Sequence, residues 1–180
     1  MLTAEKRGVD AQVFFGDALV AIMIFLLAVV AFFSLSPNAS SSESRVQDAL
    51  VADAESISAS LMTAGSPAGW TPDNVSTIGL TDGSYRVNYS KVSMFYNISP
   101  NLTYSLFGTN ANYLIFFKDN NESALAFGSC AFSNANVSFL NVSPQKCKNP
   151  ILPDPDNLIS IERLAFYNLQ IVKLVVYVWV

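Results

Sequence analysis

The 180-residue chain contains no histidine. That absence removes the side chain most often used as a general base near neutral pH, and with it any Ser-His or Cys-His nucleophile system. Cysteine is nearly missing too, with only Cys130 and Cys147. Two thiols without histidine leave a tetrahedral metal site unfilled, so no metal and no other cofactor is expected. Neither G-x-x-x-x-G-K-[ST] nor G-x-G-x-x-G occurs, which removes those phosphate-cradling loops. Charge is sparse at 13% of residues, the net charge is −4, and no basic run exceeds Lys6-Arg7. Nucleic acid is therefore not an expected partner. The acid pair Asp154 and Asp156 sits in a proline-rich turn and reads as solvated. An enzyme is not expected from such a composition.

What the chain does have is an apolar run. The stretch FFGDALVAIMIFLLAVVAFF, Phe14 to Phe33, places Asp17 at the head of sixteen uninterrupted apolar residues. A helix from Val13 to Phe33 reaches 21 positions if Gly16 and Asp17 are tolerated near one end, against the roughly 20 apolar residues that cross a bilayer. Lys6 and Arg7 precede the run and no basic residue closely follows it, so the N-terminus is expected to be cytoplasmic and the remainder outside. A secretory signal peptide is the alternative, but its apolar core is about 7 to 15 residues and ends at a small-residue cleavage site. This run is longer and ends in Phe-Phe. Asp17 has two readings: an interfacial carboxylate favoured by the positive end of the helix dipole, or a pairing group between subunits.

Export would suit the rest of the chain. Eight Asn-X-Ser/Thr sequons follow the run, at Asn38, Asn74, Asn88, Asn97, Asn101, Asn121, Asn136 and Asn141. Each is a candidate for an N-glycan, which requires exposed surface. Cys130 and Cys147 lie on the same side of the run and read as one disulfide in an oxidising compartment. Two free buried thiols are the alternative.

Beyond the run, Pro37 is expected to break or kink the helix. Ser40 with Glu43 makes a capping box for a second helix, and Gly65 followed by Pro67 stops it. Val46, Leu50, Ala54, Ile57 and Leu61 recur at helical spacing, opposite Arg45, Asp48 and Glu55, so this helix lies on a core. NYLIFFK (112–118), SALAFGS (123–129) and NVSFLNV (136–142) read as short strands. LISIERLAFYN and LQIVKLVVYVWV flank a turn near Asn168, and the second, apolar on both faces, belongs in the middle of a sheet. The segment 144–155, with four prolines, reads as a surface loop fastened by the disulfide. Short turns and helical pieces are expected around Gly79 to Asn97. The fold class is α+β: a long N-terminal hydrophobic helix, kinked near Pro37, continuing into an amphipathic helix packed on a small, mainly antiparallel β-sheet head. The expected divisions are a basic leader over 1–11, a hydrophobic transmembrane or filament-core helix over 12–36, an amphipathic helix over 40–64 and a β-rich extracellular head over 65–180.

A leader EKRG and DAQVFFGD, a long apolar helix, an amphipathic continuation and a β-rich head with GSPAGWTPDNVSTIGLTDGSYRVNYSKV, LFGTNANYLIFF, ISIERLAFYN and VKLVVYVWV together resemble archaeal type IV pilin-like proteins. The resemblance spans nearly the whole chain. It implies that a prepilin peptidase trims the leader, between Gly8 and Val9 or between Ala11 and Gln12, and that a membrane-inserted precursor joins identical subunits in a helical homopolymer at the cell surface. It implies an adhesive or motility filament with N-glycosylated heads outside. Asp17 is sixth after a cut at Ala11, close to the place where pilins carry a glutamate that pairs with the neighbour's new amine, but ninth after a cut at Gly8. The filament core would comprise Ala18, Leu19, Ala21, Ile22, Ile24, Phe25, Leu26, Leu27, Val29, Val30, Phe32 and Phe33. A single-pass, membrane-anchored glycosylated surface protein or a non-polymerising minor pilin is the alternative, and a viral envelope-type glycoprotein shares the sequons.

Overall fold

The computed structural model describes residues 4–35, 41–135, 137, 141–143, 146–148, 150–152 and 154–180. The chain divides into two compact units, Met1–Ser44 and Arg45–Val180. The first is built on α1 (Ala4–Leu35). Its side chains are described without a break over the 17 residues Gly16–Phe32, and among the described residues no helix is long and apolar enough to cross a membrane. This corrects the expected fold class at its N-terminal end. The physical reason is length: the sixteen apolar residues after Asp17 rise about 24 Å at 1.5 Å each, short of the roughly 30 Å of bilayer hydrocarbon. Upstream, α1 carries Glu5, Lys6, Arg7 and Asp10 and is polar. The membrane-crossing role expected of 12–36 is therefore not carried by the described part of α1. Pro37 and the Ser40 cap lie outside the described residues.

The second unit is α+β, with α2 (Ser41–Leu61) from Arg45 onward, α3 (Tyr89–Phe95), α4 (Pro100–Phe107) and strands β1 (Asn112–Lys118), β2 (Ala124–Leu125), β3 (Phe132–Ser133), β4 (Asn141–Ser143), β5 (Lys146–Cys147), β6 (Leu158–Tyr167) and β7 (Gln170–Trp179). The strands pair antiparallel in the order β4-β5-β2-β1-β7-β6, with β3 also on β1. β7 lies between β1 and β6, which is why its residues can be apolar on both faces. β5 corrects the reading of 144–155 as loop throughout.

One face of the sheet, with Tyr113, Ile115 and Phe117 of β1 and Val172, Leu174, Val176 and Val178 of β7, shares the main core with Leu50, Ala54, Ile57 and Leu61 of α2. Val46, expected in that stripe, is exposed. The opposite face holds a smaller core of Leu114, Phe116, Val175 and Trp179 with Cys130 and Cys147. Those cysteines form a disulfide with Cα atoms 5.7 Å apart, tying β5 to the chain after β2.

α2 ends in a tightly tied junction. Trp70 is fully buried and its Nε1–H donates to the Gly79 carbonyl at 2.9 Å. Gly79 has no room for a Cβ, which would stand 2.2 Å from the Gly65 nitrogen and 2.4 Å from the Thr63 oxygen. Gly65 itself has φ +74°, where glycine is favoured. Thr81 donates its hydroxyl to the Met62 carbonyl at 2.7 Å.

Candidate interaction surfaces

Three places on the chain combine exposure with chemistry. The first is α1. Leu19, Val20, Met23 and the run from Ile22 to Leu27 are between 48% and 67% exposed, as is Val30. Successive helical residues step by about 100°, so six consecutive exposed apolar side chains face every direction around the axis. A helix apolar all round is normally buried. Ala18, Ala21 and Asp17 are exposed and Val29 is half-buried. α1 includes Gly8, Val9, Ala11, Gln12 and Phe33, of which only the helical backbone is described.

The second is the set of sequons. Asn74, Asn97, Asn101 and Asn121 are exposed. Asn88 is half-buried, and its side chain accepts from the Lys91 N–H to cap α3. Two hydroxyls of the tripeptides also have structural partners. Ser99, two residues after Asn97, caps α4 by accepting from the Leu102 N–H. Thr103, two residues after Asn101, is fully buried, donates to the Pro100 carbonyl at 2.8 Å and shares a hydrogen bond with the Tyr113 hydroxyl. Helix caps select the same Asn, Ser and Thr that make sequons. Asn38 and Asn136 lie outside the described residues, as does the side chain of Asn141, which opens β4.

The third was not visible in the sequence. Lys118 on β1 and Lys173 on β7 are register partners, a like-charge opposition that is destabilising by itself. Glu162 of β6 reaches both, at 3.6 Å and 3.5 Å, and Glu122 in the β1–β2 turn pairs with Lys118 at 3.4 Å and hydrogen-bonds Lys173. The Lys173 hydrogen bond lowers the Glu122 pKa, and the same contact raises that of Lys173. Finding this set requires the strand register, which spacing in the sequence does not give.

Lys91 is a further surprise. It is buried, its Nζ donates to the carbonyls of Ala64 at 2.6 Å and Thr81 at 3.1 Å, and desolvation lowers its pKa. α2 has no basic residue in its last turn. Lys91 supplies a cation just past that C-terminus, where the helix dipole favours one.

Among the described residues no group of three or more His, Cys, Asp or Glu side chains is placed to hold a metal ion. No family model, no curated protein and no solved structure matches the chain.

Proposed function

We propose that this chain is a structural subunit, a pilin, of an extracellular archaeal type IV pilus-like filament, polymerising through α1 and displaying the Arg45–Val180 unit as a glycosylated head for adhesion or motility. The observation that carries the reading is the all-round apolar exposure of α1. Copies of the same helix cover one another in a bundle, and Ala18, Ala21, Ala28 and Ala31 permit close approach of the backbones. The head supports the reading by having its own core and a disulfide, features of a unit that stands in an oxidising exterior.

Electron microscopy of sheared cell-surface material, with mass spectrometry of the N-terminus and glycans of the same fraction, tests it. Filaments containing this chain are expected, starting at Val9 or Gln12. Leu27→Glu should abolish them while the head remains folded, and Asp17→Asn should weaken them if that carboxylate pairs with a neighbour. Normal filaments from Leu27→Glu, or wild-type chain recovered only as monomer, would overturn the proposal.

A further inference from the structure

The sheet ends on one side in β6, a ten-residue strand. Its backbone orientation is fixed by a contact at one end: the Phe166 N–H donates to the Tyr85 carbonyl and the Val87 N–H donates to the Phe166 carbonyl, both at 2.8 Å. Phe166 therefore points its peptide groups away from β7. Alternation along a strand makes Leu164, Ser160, Glu162 and Leu158 do the same. Among the described residues those four have no backbone partner on the outer side.

Natural sheets guard such edges with prolines, bulges or outward charges. β6 pairs with β7 over ten positions without a register shift and contains no proline. Both of its charges are drawn off the edge. Glu162 turns across the sheet to Lys118 and Lys173, and Arg163 donates from Nε to the Ser58 hydroxyl of α2 at 3.2 Å. Among the described residues nothing pairs with this edge between Leu158 and Leu164, and both leucines are exposed beside it.

The geometry points to a second copy of this chain as the occupant, with the two β6 edges pairing antiparallel about a twofold axis at Ile161. Outward residues must face outward residues, so the twofold centres on a residue, and within 158–164 only centring on Ser160, Ile161 or Glu162 pairs five or more positions. Centring on Glu162 sets two like charges directly opposite, which is unfavourable. Centring on Ser160 sets Leu158 against Glu162 of the partner subunit. Only the Ile161 register faces Leu158 with Leu164 of the partner subunit, twice, and places each Glu162 opposite a serine. The strand added to each edge ends at Leu164, because residues 85–87 already occupy the edge at Phe166. The paired stretch of seven residues is about 23 Å long. A twofold contact closes on itself, so it joins heads in pairs and links two assemblies laterally; it does not depend on how α1 associates.

Single cysteines read the register directly, since Cys130 and Cys147 are already bonded to each other. At a non-hydrogen-bonded antiparallel pair the Cα atoms are about 4.5 Å apart, within disulfide reach, whereas diagonal neighbours are roughly 7–8 Å apart. In detergent-solubilised full-length chain under mild oxidation, Ile161→Cys should give a cross-linked dimer at least tenfold above Ser160→Cys or Glu162→Cys. Adding Ser160→Pro, which removes an outward N–H and leaves the β6–β7 ladder intact, should abolish the cross-link. On the unmutated chain, amide exchange at Ser160, Glu162 and Leu164 should slow as concentration rises. Equal cross-linking at all three positions, a preference for 160 or 162, or concentration-independent exchange would overturn the pairing.

Discussion

Trp70 offers the sharpest test of how the head is held together. Its indole is fully buried where the chain leaving α2 folds back, and its N–H is the hydrogen-bond donor that reaches the buried Gly79 carbonyl. Trp70→Phe keeps an aromatic ring in the site but removes that donor. An acceptor left buried without a partner costs about 1–3 kcal/mol. The smaller ring gives up packing equivalent to one or two methylenes, about 1 kcal/mol. The sum is about 2–4 kcal/mol, a large fraction of the 5–15 kcal/mol typical of a domain. The assay is equilibrium urea unfolding followed by the fluorescence of Trp179, the only other tryptophan, which is buried on the opposite face of the sheet. With a slope of about 2 kcal/mol per molar urea, the midpoint should fall by roughly 1–2 M at unchanged slope. A midpoint within about 0.3 M of wild type would mean that the carbonyl is satisfied some other way and that the junction does not depend on the indole.

The same junction predicts that Gly79→Ala fails to accumulate folded protein in a solubility and proteolysis assay, because the added Cβ meets backbone atoms of Thr63, Ala64 and Gly65 and not a flexible side chain. Tyr96 buries its hydroxyl with no hydrogen-bond partner among the described residues. Tyr96→Phe should therefore be stabilising by about 1 kcal/mol in urea titration. Burial raises the pKa of Tyr96 and pushes that of Tyr113 up to about 12. Since the folded values lie above the unfolded value near 10, their contribution is fully present below about pH 10 and is lost as pH rises towards 12, so alkaline unfolding should set in across that window. Replacing both Cys130 and Cys147 with serine should lower stability by about 3 kcal/mol, measured as a fall in urea midpoint that reductant reproduces on the wild-type chain.

Much of the head is legible in the sequence because its signals are local. The spacing of Leu50, Ala54, Ile57 and Leu61 marks the buried stripe of α2 without any knowledge of its partner. The apolar run of β7 announces a strand covered on both faces, and the pair Asn168 and Leu169, both at positive φ, makes the tight turn expected beside Asn168. α4 carried a readable signature as well, with Ser99 and Pro100 at its start and Gly108 in the left-handed conformation at its end. Periodicity alone passes over a helix of only eight residues. β2 keeps only two residues of the stretch SALAFGS that reads as a strand, whereas β3 and β5, also two residues each, exist only because β1 and β2 offer them a ladder. Nothing local marks them. Lys91 misleads for a related reason: a lone lysine reads as solvated until the carbonyls of Ala64 and Thr81 are placed around it. For α1 the failure was one of measure. Counting Gly16 and Asp17 into the apolar run made it appear long enough to span a bilayer, and at 1.5 Å per residue those positions decide the matter.

The four-charge set explains something that hydrophobicity does not. Slipping one strand by a single residue normally turns its apolar set to the wrong face, and that penalty fixes the register of most sheets. β1 is apolar on both faces from Tyr113 to Phe117, and β7 from Leu174 to Trp179, so neither strand pays much for a slip past the other. Their charged residues supply the missing discrimination. Only when Lys118 stands opposite Lys173 can Glu162, fixed to β7 through the Asn168–Leu169 turn, and Glu122, fixed to β1 through the turn capped by Asp119, reach both ammonium groups. Moving β7 by two residues would preserve both faces and carry Lys173 away from Glu122, leaving Lys118 partnered by one acid in place of two. Ion pairs this exposed add little to stability, but a difference of two pairs between competing registers, Lys118–Glu162 and Lys173–Glu122, favours the observed one. The requirement that holds Glu162 over the sheet also withdraws it from the outer edge, so the register of the central strands and the openness of β6 follow from the same side chain.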